Sequence, residues 1–224
     1  MIEKILPAGV ASAELLAYPE ELKPHPAEEH LIAKSVEKRR RDFIGARHCA
    51  RLALAELGEP PVAIGKGERG APVWPRGIVG SLTHTDGYQA AALAHKLRFR
   101  SVGIDAEPHG PLPEGVLDSV SLPAEREWLN SASPIAALHL DRLLFCAKEA
   151  TYKAWFPLTS RWLGFEDAHI TFTIDESSDG AGAGTFHSEL LVPGQTNDGG
   201  VPLTSFDGRW MIGDRLILTA IVHG

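Results

Sequence analysis

Asp105 and Glu107 stand at alternate positions in S101-V-G-I-D-A-E-P108, and Lys148, Glu149 and Lys153 sit inside F145-C-A-K-E-A-T-Y-K-A-W-F156. Charges in such apolar settings cost free energy unless something pairs with them. If the first run is a strand, its period of two puts Asp105 and Glu107 on one face and Ala106 on the other. Side by side, the two carboxylates repel each other unless a cation lies between them. A lone D-x-E also fits a strand leaving the core with Pro108 ending its pairing. Glu149 changes the weighing, because it is a third acid on a helix rich in alanine and aromatics, one turn from Lys153. Asp105, Glu107 and Glu149 would form the partial carboxylate shell that Mg²⁺ takes when phosphate oxygens and waters supply the rest. Lys148 and Lys153 would then face the phosphates.

A ligand with phosphates needs cations, and the whole chain does not offer them: its formal net charge is −7. General attraction to nucleic acid or anionic lipid is therefore excluded, and a local basic cluster is required. Residues 38–51 hold Lys38, Arg39, Arg40, Arg41, Arg47 and Arg51. On a straight helix Arg40, Arg47 and Arg51 fall near one line, with Arg39 rotated away by about 80°. Guanidinium groups suit phosphate monoesters through paired hydrogen bonds, although a solvated helix face has the same composition. The KGERG loop adds Lys66 and Arg69, with Gly67 allowing close backbone approach. His84, between Thr83 and Thr85 at a strand end, is placed to donate to a phosphate or to serve a structural role.

The elements that must position these groups follow from periodicity. Residues 27–57 have helical spacing, with Leu31, Ile32, Phe43, Ile44, Leu52 and Leu57 as core candidates and Gly58 with Pro60-Pro61 as the stop. GKGERGAPVWPRG is too broken for a regular element, IVGSL and AAALA read as strands, and SVGID is a third. The Pro/Gly-rich EPHGPLPEG marks a boundary, dividing the chain into 1–108 and 109–224. In the second half, Ser133-Pro134 reads as the cap and first residue of a helix running unbroken to Pro157. AHITFTI, TFHSELLV and RWMIGDRLILTAIV read as strands, the last a hairpin, and DESSDGAGAG as a mobile connection. Each half is thus a long helix with short strands, an α+β organisation rather than alternating βαβ. Cys49 and Cys146 lack ligand spacing and read as small core residues. No membrane span or signal segment is evident, so the protein is expected to be cytoplasmic.

In this order, the arginine-rich helix, SLTHT, GIDAE and K-E-A-x-x-K resemble the Sfp-type (EntD-like) 4'-phosphopantetheinyl transferases across nearly the whole chain. Thr83 and Thr85 replace common serines, and Pro108 a frequent basic residue. The resemblance implies two similar α+β subdomains related by a pseudo-two-fold axis, with the ligand in the cleft between them and a monomeric state. It implies transfer of the phosphopantetheine arm of coenzyme A to a serine of an apo carrier protein in fatty acid, polyketide, nonribosomal peptide or siderophore synthesis. Adenosine 3',5'-bisphosphate leaves. It further implies Mg²⁺, with Mn²⁺ as an alternative, on Asp105, Glu107 and Glu149. Arg39, Arg47, Thr83 and His84 would grip the 3'-phosphate end, and Lys66, Gly67, Glu68 and Arg69 the adenosine side. Lys148 and Lys153 would neutralise the bridging phosphates. Glu149, directly or through water held by the metal, or Glu125 would be the general base. A Mg²⁺-dependent hydrolase of CoA-like pyrophosphates and a non-catalytic CoA- or carrier-binding module are the alternatives. Carriers present an acidic helix near their serine, so a basic or apolar patch is expected at the cleft rim.

Overall fold

A computed structural model describes residues 1–131, 138–178 and 180–224. The first half places β1 (Val10–Leu15), β4 (Ile78–Thr85) and β5 (Tyr88–His95) in an antiparallel sheet ordered β1-β5-β4. Before β4 come α1 (Glu37–Glu56) and a two-residue ladder of β2 (Gly65–Lys66) with β3 (Pro72–Val73). A second antiparallel sheet, ordered β6-β10-β9-β8-β7, joins β6 (Ser101–Pro108), β7 (Ala168–Ser178), β8 (Ala181–Leu190), β9 (Ser205–Gly213) and β10 (Leu216–His223). Two short helices, α2 (Val116–Val120) and α3 (Pro123–Ser131), precede α4 (Leu140–Thr159).

Three apolar layers hold these elements, and the alternation of residues along β5 shows why. Ala91 and Leu93 face Cys49, Ala50, Ala53 and Leu54 of α1, whereas Tyr88, Ala90, Ala92 and Ala94 face Val102, Ile104 and Ala106 of β6 and Leu218 and Ala220 of β10. Both faces of β5 are covered, so it reads as a continuous apolar run instead of alternating. On β10, Ile217 and Ile221 point to the opposite layer, where Leu143, Ala147, Ala150 and Ala154 of α4 pack with Trp155 and Trp210. Each half is therefore a 20-residue helix on the outer face of an antiparallel sheet, with the inner faces sharing a core. Cys49 and Cys146 are buried, as expected.

Several boundaries differ from the sequence expectation. The helical pattern of 27–57 divides: Pro26–Leu31 is a 3₁₀ turn, and α1 starts at Glu37 with Val36 extended. Leu52 is exposed, so it leaves the core set. The end at Leu57 with Gly58 left-handed agrees with the stop signal. Helix α4 begins at Leu140 and passes through Pro157 to Thr159; proline in a last turn removes only one hydrogen bond, and Ser160, left-handed, closes the helix on Phe156 O. Ser133-Pro134 lies outside the described residues. The described residues of DESSDGAGAG belong to the β7–β8 hairpin, with Gly182 and Gly184 paired in β8. A Cβ at Gly184 would sit 2.9 Å from Trp210 Nε1, which donates to Thr173 O and Thr185 O; these glycines admit the indole. Strand β6, on the first side of the 108/109 division, hydrogen-bonds to β10 in the second sheet.

Candidate active site

The catalytic candidates meet where β6 lies against α4. Gly103, Asp105 and Glu107 share the face turned to the helix, since Ile104 and Ala106 occupy the shared core behind them. A Cβ at Gly103 would run into Ala150 O and stand 2.7 Å from Ala154 N, so glycine lets strand and helix backbones touch. Glu149 and Lys153, each preceding one of these contact residues, are thereby brought beside Asp105. Lys153 Nζ donates to Asp105 Oδ1 at 2.7 Å and to Ile104 O at 3.1 Å. From β4, Thr83 Oγ1 donates to the same Oδ1 at 3.1 Å. Asp105 Oδ2 is buried with no hydrogen-bond partner among the described residues. Burial alone would lower the Lys153 pKa, but Asp105 and then Glu149 raise it. Burial, then the charges of Asp105 and Glu107, raise the Glu149 pKa against the opposing charge of Lys153, and among the described residues no hydrogen bond is made to it.

A cleft of about 520 Å³ opens from these groups to the basic end of α1. Arg39, Asp42, Phe43, Arg47, Thr83 and His84 line it together with Asp105, Glu149, Tyr152 and Lys153. Arg47 is 5% exposed, lies over the Phe43 ring at 3.4 Å and donates through Nε to Ile64 O at 2.9 Å. Burial pulls its pKa down to about 10. Among the described residues it has no carboxylate partner: Glu28, whose charge also reaches it, is paired with Arg51 at 2.8 Å. Arg39 Nη1 lies 3.4 Å from His84 Nε2, and Asp42 Oδ2 is 3.7 Å from His84 Nδ1. Burial lowers the His84 pKa against the opposing pull of Asp42. The stripe of Arg40, Arg47 and Arg51 exists, yet Arg40 spends its guanidinium on Ile32 O at 2.9 Å. α1 is continuous through Gly45, so Arg39 reaches His84 from the first helical turn by the length of its side chain.

Other expected residues lie elsewhere. Lys148 and Glu125, 2% and 1% exposed, form an ion pair with each other at 2.9 Å. Lys148 also donates to Phe165 O and Ala168 O, and Glu125 accepts from Leu122 N and Ile170 N. With every strong contact internal, Lys148 is not a phosphate ligand in this structure, nor is Glu125 a base within reach of the cleft. Lys66, Gly67 and Glu68 are exposed and do not line the cleft; Arg69 does, with its guanidinium 5.4 Å from the Trp162 ring. Glu107 is drawn to Arg142 at 2.8 Å and is absent from the cleft lining. Among the described residues no group of three or more His, Cys, Asp or Glu is arranged to hold a metal ion. Still, Asp105 Oδ2 and Glu149 are hard oxygen donors, buried or partly buried and short of partners, which fits a divalent cation such as Mg²⁺.

Sequence reasoning did not single out Gly103, Asp42, Tyr152 or Arg142. For Arg142 a signal existed: it precedes Glu149 by seven residues, two helical turns on one face. Phe43 and Arg47, an i, i+4 pair, carried a similar one.

Residues 27–94 match the 4'-phosphopantetheinyl transferase N-terminal domain, and residues 101–193 match the 4'-phosphopantetheinyl transferase superfamily. The chain is 82% identical to the 4'-phosphopantetheinyl transferase Npt of Nocardia iowensis over 100% of both chains. It is 57% identical to the transferase PptT of Mycobacterium tuberculosis, covering 99% of this chain and 97% of that one. With the enterobactin synthase component D of Escherichia coli K12 it shares 32% identity over 89% of its length. On full-length identity and on two adjoining domain matches, the chain belongs to the 4'-phosphopantetheinyl transferase superfamily.

Proposed function

We propose that the cleft holds coenzyme A between the α1 cations and the β6–α4 carboxylates, and that this chain transfers the 4'-phosphopantetheine arm to a serine of an apo carrier protein. The observation that carries the reading is charge complementarity within one cleft: among the described residues, a buried Arg47 with no carboxylate partner lines it with Arg39 and His84, and Asp105 Oδ2, without a hydrogen-bond partner, lines it with Glu149. Arg39, Arg47 and His84 bind the 3'-phosphate by charge-assisted hydrogen bonds. Arg69, rather than Lys66, Gly67 or Glu68, contributes at the adenosine side. Asp105 and Glu149, with Glu107, would hold Mg²⁺ or Mn²⁺, which when bound supplies positive charge at the diphosphate.

Lys153, fixed by Asp105, directs its ammonium charge at the bridging phosphates. The carrier serine oxygen forms a bond to the β-phosphorus, the β-phosphorus bond to the bridging oxygen breaks, and adenosine 3',5'-bisphosphate leaves with that electron pair. Glu149, on the cleft wall beside Lys153, is placed to take the serine proton. No helix among the described residues is long and apolar enough to cross a membrane. Trp162, 60% exposed beside Arg69, gives the cleft rim the apolar and basic character that an acidic carrier helix would meet. The test incubates the protein with CoA and Mg²⁺, with and without an apo carrier, and follows both by mass spectrometry. A carrier heavier by one phosphopantetheine group is expected; CoA cleavage that ignores the carrier would instead identify a hydrolase.

A further inference from the structure

The three carboxylates of the site are not equivalent. Asp105 is neutralised by Lys153 at 2.7 Å and Glu107 by Arg142 at 2.8 Å, while Glu149 has no such ion-pair partner among the described residues. Arg142 is a firm clamp. Its Nη1 holds Glu107 Oε2, its Nη2 holds Pro111 O at 2.6 Å, and both side chains of the ion pair are less than a fifth exposed. Its Nε is buried without a partner, so the guanidinium is placed for its two terminal contacts at the expense of a third donor. The clamp explains why Glu107 shares a strand face with Asp105 and yet stays out of the cleft lining.

We propose that Arg142 is a positioning residue that withholds Glu107 from a divalent cation until coenzyme A occupies the cleft, making cation binding and CoA binding cooperative. This rests on the assignment of the cleft to CoA and a divalent cation. Without CoA, an arriving cation meets Asp105 and Glu149, and Glu107 is available only by breaking a charge-assisted, largely buried ion pair. With CoA present, its diphosphate would keep a cation beside Asp105 and Glu149, where Glu107 could exchange Arg142 for it while Arg142 keeps Pro111 O. The coupling is reciprocal, so a cation bound in the cleft tightens CoA by the same factor.

Mn²⁺ titrated into the metal-free, full-length protein and followed by electron paramagnetic resonance tests this, with and without saturating CoA and with the protein-free CoA signal subtracted. In the wild type, CoA should tighten Mn²⁺ by roughly tenfold or more. Arg142→Gln should bind Mn²⁺ alone severalfold tighter, so the gain from CoA shrinks to about threefold or less. Glu107→Gln, which does not depend on Arg142→Gln folding, should leave the affinity for Mn²⁺ alone within about twofold and lower it by roughly tenfold when CoA is present. A wild-type gain from CoA in folded Arg142→Gln, or an equal loss in Glu107→Gln with and without CoA, would overturn the proposal. Asp105→Asn separates the two levels of argument: it should weaken Mn²⁺ in both conditions. If it does not, the cation assignment itself fails and the clamp fails with it; if it does while the other two variants behave as the wild type, only the clamp fails.

Discussion

Glu125→Ala should unfold this protein at a much lower temperature without removing a catalytic group. The carboxylate holds Lys148 at 2.9 Å and accepts from Leu122 N at 2.7 Å and Ile170 N at 2.8 Å, tying α3 and the start of β7 to α4. Breaking a buried ion pair by deleting one partner costs about 3–5 kcal/mol. Two amides left without acceptors add about 1–3 kcal/mol each if water does not reach them. These costs overlap, because relaxation that hydrates the amides also hydrates Lys148, and a net loss of about 4–6 kcal/mol is expected. For a chain of this size that lowers Tm by about 10–20 °C. Differential scanning calorimetry of Glu125→Ala, and of Glu125→Leu combined with Lys148→Met, supplies the measurement, and the apolar pair should recover most of the loss. Transfer is then assayed well below the variant's Tm, where kcat should keep its order of magnitude. A wild-type Tm together with a kcat lowered by about 10²-fold or more, the cost of a lost general base, would refute the structural assignment.

Three further outcomes follow from the same geometry. Gly103→Ala forces β6 away from Ala150 and Ala154, so it should cost at least about 1–3 kcal/mol and depress kcat more than CoA affinity, read from thermal unfolding and from steady-state kinetics. Glu149 has a folded-state pKa raised by burial and by Asp105, so its contribution is fully present below the ordinary value near 4.5 and is lost as pH rises through the higher folded value. Glu149→Gln should accordingly raise the metal-free Tm at neutral pH, lose that advantage below about pH 4, and abolish transfer; an unchanged or lower Tm at neutral pH contradicts the sign. His84→Ala should raise KM for CoA by roughly tenfold while leaving KM for 3'-dephospho-CoA unchanged, and an equal effect on both would remove His84 from the 3'-phosphate.

What could be read from the sequence was what obeys a short period or a steep energetic cost. Strand alternation placed Asp105 and Glu107 on one face, and the structure keeps both turned to α4 while Ile104 and Ala106 fill the core behind. The cost of burying charge singled out Lys148, Glu149 and Lys153 within an apolar helix. Glu149 and Lys153 line the cleft. Lys148 was misassigned because a buried charge needs a partner of some kind and not a ligand in particular; its partner, Glu125, stands on a different helix. Helical periodicity likewise gave the stripe of Arg40, Arg47 and Arg51 without saying what the stripe faces. Two of its members are consumed by Ile32 O and Glu28, while Arg39, off the stripe, reaches His84.

The same distinction separates the acids of the site. A charged side chain satisfied within the fold has its partner fixed by packing, and packing joins residues far apart in the chain, as with Glu107 and Arg142 across the 109–115 loop. A charged or polar atom left unsatisfied there has had its pairing deferred to something that arrives later. Among the described residues lining the cleft, Asp105 Oδ2 and Glu149 are groups of that second kind, and Arg47, though it donates to Ile64 O, has no carboxylate to balance its charge. Their opposite signs within one cavity suit a ligand that carries more than one anionic group, with positive charge required beside the acids. Coenzyme A, with a diphosphate and a separate 3'-phosphate, has that charge layout, whereas a ligand with a single phosphate would leave one end of the cleft uncompensated.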